Sequence, residues 1–428
     1  MEAESVDPSE TVLLSLATRR VSVLDSFRGL CALLVALHHF KASGYIATSR
    51  FVGNAFLFVD FFFVLSGYVI SMRYLEELRS NQSVRRFLAR RFWRLYPLHF
   101  AALIPFFLIE IFLMPYFAAD RVPFSHPMTW EALGLNLLLL NSVNLTHGVT
   151  WNYPSWSIGA EALTYLVFAI AVRALGPKST FFFCLAAIGS LVLVATSSPT
   201  YIDATNDYGF FRCVAGFSMG FLICRFASSG CSNAWTARLV RPRATLIEVA
   251  LIIAVVAFVT AAGHHPANLL SPVLFSVVVY WFSLERGSVS FILSNPWLVA
   301  LGLISYSVYM VHGLLASRLF SGGLQLVQRY SALKTLSIDG SGRFGATPLQ
   351  GDLLTVLYVV LVIVTAVFTY RWIELPGQRH FRRRAEGFAG SQPMPVTAVP
   401  EGGMVDWPYR QEGIPESARE SVEPRPSA

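Results

Sequence analysis

Apolar residues along this chain gather in long runs separated by short, mostly basic stretches. A helix that crosses a bilayer needs about 20 predominantly apolar residues. Ten segments meet that requirement: 25–44, 54–75, 95–117, 156–175, 179–197, 208–226, 244–262, 269–285, 297–319 and 352–373. The pattern predicts an all-α, polytopic membrane helix bundle with about ten transmembrane helices. Two connections are longer than a link requires, about 118–155 and 320–351. The first holds an apolar stretch, Leu133 to Leu140, which is too short to span and reads as re-entrant or interfacial.

Charge supplies the orientation. With the N-terminus in the cytoplasm, that side collects Arg19, Arg20, Arg79, Arg85, Arg86, Arg90, Arg91, Arg94, Lys178, Arg238, Arg241, Arg243, Arg286, Arg379 and Arg382 to Arg384. The opposite side keeps Lys41, Arg50, Arg121, Arg329, Lys334 and Arg343. This is the asymmetry of the positive-inside rule, and an even number of spans returns the C-terminus to the cytoplasm. Residues 1–22 then form a cytoplasmic N-terminal segment without a cleavable signal, because Met1 to Thr18 is polar and acidic. The transmembrane domain covers 23–382. Residues 383–428, rich in Pro, Glu, Gly and Ser, read as a disordered cytoplasmic tail.

Composition agrees with lipid as the solvent. Of 428 residues, 54% are hydrophobic and 14% charged, whereas soluble domains carry about 25% charged residues. The net charge of +7 would suit nucleic acid or anionic lipid, but its distribution follows topology, so no nucleic acid partner is expected. Cys31, Cys184, Cys213, Cys224 and Cys231 lack paired spacing, which indicates neither a disulfide framework nor a metal site.

Ionisable groups inside apolar spans are costly, and each is a candidate for function. Asp25 or Ser26 is placed to cap the first helix. From Arg28 to His39 is about 1100° of rotation, roughly 20° from three whole turns, so Arg28, Ala32, Val35 and His39 share a face while His38 points about 100° away. At about 1.5 Å per residue, His39 lies roughly 21 Å above Asp25, and His312 roughly 24 Å above Pro296. Glu161 and Arg212 fall roughly 8 Å and 6 Å below the outer starts of their spans, and Glu110 lies in a similar layer. These groups could therefore meet at one level, or form separate pairs that offset burial. At the other face, Arg91 and Arg94 are three apart on one side of a helix, and two guanidinium forks suit phosphate oxygens. Arg85 and Arg86 read as topology anchors.

The motifs carrying these residues resemble the acyltransferase-3 family of membrane O-acyltransferases. The resemblance extends from about Val23 to Arg382. It rests on Asp25-Ser26-Phe27-Arg28-Gly29-Leu30 leading to His39, on Val59 to Tyr68 with Ser66-Gly67, and on Arg90-Arg91-Phe92-Trp93-Arg94-Leu95-Tyr96-Pro97. Trp156-Ser157-Ile158-Gly159-Ala160-Glu161 with Tyr165, Ile304 to His312, and Trp372-Ile373-Glu374-Leu375-Pro376 complete the set in family order. The resemblance implies residence in a bacterial inner membrane. It also implies transfer of an acyl group, typically acetyl, from acyl-CoA to a hydroxyl of a carbohydrate or similar acceptor, with no permanently bound cofactor. His39, Arg91 and Arg94 are then essential. The sequence departs from the family where Ala162 replaces a second acidic residue.

Acyl transfer to an alcohol needs a base and a stabilised oxyanion, and an imidazole suits the first task. The expectation is His39 as base, oriented by Glu161 or another carboxylate at its level. Arg212, Tyr165 or His312 would polarise the thioester carbonyl, and Arg28, Arg91, Arg94 and Ser66 would line the substrate path. Ser66 as a covalent acyl carrier is a lesser reading, because Ser-Gly in a helix usually marks close packing. The rival class is a secondary transporter, in which intramembrane Arg, His and Glu bind substrate or relay protons. The inverted repeat that would favour it is missing from the sequence.

Overall fold

The computed structural model describes residues 21–79, 84–112, 122–146, 148–229, 240–323 and 343–380. Each predicted apolar segment falls on a helix. These are α1 (Ser22–His38), α2 (Phe58–Arg79), α3 (Val84–Phe112), α4 (Trp156–Leu175), α5 (Ser179–Ser197), α6 (Gly209–Ala227), α7 (Arg241–Ala262), α8 (Ser271–Ser283), α9 (Pro296–Leu303), α10 (Ser305–Leu314) and α11 (Pro348–Thr369). No strand forms among the described residues, where an isolated bridge joins Ala42 to Phe344. The tail 383–428, the segment before residue 21 and most of the 320–351 connection lie outside the described residues.

Seven stretches are long and apolar enough to cross a bilayer, or eight if the bent pair α9–α10 is one span. The difference from ten has two sources. With 17 residues α1 is just short of a crossing. Helices α4 and α5 are separated only by Gly176–Lys178 and count as a single stretch. The chain nevertheless reverses there. Gly176 has φ +52°, and the rings of Phe168 on α4 and Phe183 on α5 meet with centroids 6.0 Å apart.

The outward faces explain why lipid is required. On α5, Phe181, Leu185, Ile188 and Val192 are exposed, and on α7, Leu246, Val249, Ile253 and Val256. Steps of three and four place each set on one helix face. Such continuous apolar surface would be a liability in water. Helix α2, by contrast, is mostly buried at the centre. It crosses α6 at glycines on both sides: a Cβ on Gly67 would collide with the Phe217 carbonyl, and one on Gly220 with the Val64 carbonyl. Small residues permit this backbone approach, the usual device for association in lipid. Gly302 of α9 lies against the Asp25 carbonyl of α1 in the same way, just before the chain bends by 58° into α10.

The start of α1 corrects one expectation. The helix begins at Ser22, and neither Asp25 nor Ser26 caps it. Glu285, from the connection after α8, accepts from the Val23 amide (3.3 Å) and the Ser22 hydroxyl (3.0 Å), so a distant carboxylate meets the helix's unpaired N–H. Ser26 donates to the Leu293 carbonyl at 2.5 Å. The short apolar stretch after residue 129 forms a helix, Trp130–Leu137, capped by the Thr129 hydroxyl.

Candidate active site

The stripe predicted on α1 is formed. Ala32 and Val35 are fully buried between Arg28 and His39. His39 closes the helix, with its Nδ1 2.9 Å from the Val35 carbonyl. A carbonyl can only accept, so Nδ1 carries the proton and Nε2 presents a free lone pair. The ring faces the interior, with centroids 4.9 Å from Tyr153 and 5.1 Å from His312. His312 is fully buried, and neither of its ring nitrogens has a hydrogen-bond partner in good geometry. His38 turns away as predicted, toward the Val52 carbonyl at 3.3 Å. The expected orienting carboxylate is replaced by the Val35 carbonyl, because Glu161 is engaged elsewhere and His39 forms no ion pair among the described residues.

Glu161 anchors a second cluster. It accepts from the hydroxyls of Ser66 on α2 and Tyr165, four residues along α4 and so on the same face. Those two hydroxyls are 3.0 Å apart. Arg91 of α3 donates to the Tyr74 hydroxyl (2.7 Å) and lies 4.9 Å over the Tyr74 ring and 5.9 Å over that of Tyr165. Its buried Nε is unpaired. Arg94, one turn on, makes no hydrogen bond or ion pair among the described residues, although the charges of Glu374 and Arg28 are close enough to act on it. Glu374 is buried and held by Ser307 (2.8 Å) and Gln378 (3.2 Å). Arg28 pairs loosely with Asp25 at 3.5 Å and feels both Glu161 and Glu374. Arg28, Ser66, Arg91, Arg94, Glu161 and His39 are all half-buried. Tyr309 stands between the two clusters: its hydroxyl is 2.8 Å from Ser157, its ring centroid 5.5 Å from His312, and it is in electrostatic reach of Glu161.

Two residues placed at the same depth by the sequence belong elsewhere. Every donor-bearing nitrogen of the buried Arg212 is engaged: Nε and Nη2 by both Asp60 oxygens (2.8 and 3.1 Å), Nη2 also by Phe56 O (3.1 Å), and Nη1 by Ala204 O (3.2 Å). Its face covers the Trp156 ring at 5.5 Å. It fastens α6 to α2 rather than facing the two histidines. Asp203, in the loop before α6, lies 3.7 Å from it; burial lifts this carboxyl above the usual range, while Arg212 and His264 pull it down. Glu110 is buried against the Phe124 amide at 3.0 Å, fixing the loop after α3.

Sequence reasoning singled out neither Tyr153, Tyr309, Tyr74 nor Glu374. Tyr309 and Glu374 stand inside motifs quoted for the resemblance, which could have flagged them. Tyr153 precedes its helix, so no depth argument reached it.

A lipid-embedded helical bundle that gathers two imidazoles, a carboxylate–hydroxyl cluster and the guanidinium groups of Arg28, Arg91 and Arg94 between its helices fits an integral membrane enzyme. The chain belongs to the acyltransferase-3 family, whose model, described as an acyltransferase domain, matches residues 21–372, and it is an O-acyltransferase. It is 26% identical over 345 residues to the acyltransferase MdmB of Streptomyces mycarofaciens, covering 73% of this chain and 84% of that protein. It is 28% identical over 154 residues to the peptidoglycan O-acetyltransferase OatA of Listeria monocytogenes, covering 34% of this chain and 23% of that protein. No solved structure matches the chain.

Proposed function

We propose that the chain transfers an acyl group, acetyl in the simplest case, from acyl-coenzyme A to a hydroxyl of a carbohydrate, in a bacterial inner membrane. The observation that carries this reading is the polar axis through the bundle. Arg94, free of hydrogen bonds and ion pairs among the described residues, and Arg91 lie at the basic end, Glu161 with Ser66 and Tyr165 next to Arg91, and His39 beside His312 at the other end. The coenzyme's phosphates would bind Arg91 and Arg94 from the cytoplasm, with Arg28 along the path of the thioester arm. The similarity to OatA, an O-acetyltransferase by name, favours acetyl as the group and a glycan as the acceptor.

His39 Nε2 takes the proton of the acceptor hydroxyl as its oxygen attacks the thioester carbonyl. The tetrahedral oxyanion is met by an N–H of His312, whose donor is otherwise unused. As the C–S bond breaks, the imidazolium returns the proton to the leaving thiolate. Glu161, bound by two hydroxyls, holds Ser66 and Tyr165 beside Arg91. Purified protein in nanodiscs, supplied with labelled acetyl-coenzyme A and a sugar acceptor, tests the scheme. His39→Ala is expected to slow transfer by about 10²–10⁴-fold at unchanged melting temperature. A folded variant with wild-type turnover removes His39 as the base, and labelled coenzyme bound but never cleaved by the wild type would favour a transporter.

A further inference from the structure

Tyr153 has no role in the scheme above, yet its ring is the aromatic neighbour closest to His39 apart from His38, at 4.9 Å for both, and lies 6.0 Å from His312. Its hydroxyl makes no hydrogen bond among the described residues. Five other interior tyrosines engage theirs: Tyr74 with Arg91, Tyr165 with Glu161, Tyr306 with the Leu95 carbonyl, Tyr309 with Ser157 and Tyr358 with the Ala36 carbonyl. The residue is half-buried, and a phenol beside the base whose hydroxyl the protein leaves unused is open to a ligand.

Its backbone is locked to the helix that carries His312. Asn152 donates to the Met310 carbonyl at 3.1 Å, and the Ser155 amide to the Asn152 carbonyl at 2.8 Å. Pro154 packs so closely on α10 that a Cβ at Gly313 would lie 2.9 Å from its Cδ. The ring is thus held at a fixed distance from both imidazoles by contacts that do not involve its own side chain.

We propose that Tyr153 is the platform for the acceptor's sugar ring, an inference that rests on the carbohydrate reading above. The C–H face of a pyranose is apolar with positive hydrogens and suits the negative face of the phenol ring. The phenolic hydroxyl then bonds a neighbouring hydroxyl of the same sugar, which turns the reacting one toward His39 Nε2. Tyr153 is a specificity-determining residue: it favours a cyclic polyol over an open one bearing the same primary alcohol.

The test compares transfer of labelled acetyl from acetyl-coenzyme A to methyl β-glucopyranoside and to glycerol, with protein in nanodiscs and folding checked by melting temperature. The wild type is expected to favour the glycoside in kcat/KM. Tyr153→Ala should cut that preference about tenfold, through the glycoside's KM. Tyr153→Phe should keep the stacking part of the preference and lose the hydroxyl's share. A glycoside preference unchanged in Tyr153→Ala overturns this inference alone. A wild type that acetylates glycerol but not the glycoside overturns both it and the carbohydrate reading.

Discussion

Replacing Arg212 decides between two roles for a deeply buried cation of the bundle. The side chain is 1% exposed and its partner Asp60 is 0% exposed. In Arg212→Met the Asp60 carboxylate keeps only the Ser271 hydroxyl at 3.0 Å, and the Phe56 and Ala204 carbonyls lose their donor. Breaking a buried pair by removing one member costs about 3–5 kcal/mol, because a desolvated charge is left without its counter-ion. That is a large share of a typical stability of about 5–15 kcal/mol. The variant should melt far below the wild type in detergent, followed by fluorescence-detected size exclusion. Removing the second charge reverses the penalty, since apolar replacement of both members of a buried pair is often neutral. Asp60→Leu combined with Arg212→Met should therefore regain the share of the loss that comes from the unpaired charge, short of about 1 kcal/mol each for the Ser271 hydroxyl and the Phe56 and Ala204 carbonyls. Turnover per folded molecule should stay near the wild type in both variants. If Arg212 polarised the thioester carbonyl, Arg212→Met would melt near the wild type, its turnover would fall about 10²–10³-fold, and the double variant would stay inactive. That result would refute the structural role.

Two further predictions concern the centre of the bundle. Gly67→Ala or Gly220→Ala drives a methyl into a facing backbone carbonyl at the α2–α6 crossing, and either should lower stability by at least about 1–3 kcal/mol. Gly53→Ala, which has nothing within 4 Å of the new Cβ, serves as the neutral control in the same melting assay. Ser66→Ala removes one of the two hydroxyls on Glu161 while Tyr165 remains, so acyl transfer should slow without being abolished. Recovery of a labelled acyl-serine at position 66 after denaturing quench would instead make that residue a covalent carrier.

How much of this was legible in the sequence follows from the range over which each force acts. Lipid solvation acts along the chain, so the apolar runs located the helices and the stripe from Arg28 to His39 emerged intact. Counting rise along two parallel helices was enough to bring His39 and His312 to one depth, because α1 and α9–α10 start at the same end of the bundle. Lateral partners obey no such local rule. Arg212 was given the wrong company, because its counter-ion lies 152 residues away, inside a motif noted only for its resemblance. The orienting group of His39 was missed for the opposite reason. Sequence reasoning looked for a carboxylate, whereas the Val35 carbonyl four residues back, in the last turn of the helix, meets both the His39 amide (3.4 Å) and the ring Nδ1 (2.9 Å) and is invisible in residue identities. The bend at Ile304 has no proline to announce it; it follows Gly302, whose missing side chain lets α9 rest on the α1 backbone. The same contact ties the two halves of the base site together, so a bulkier residue at 302 should displace His312 from His39 before it displaces any lipid-facing helix.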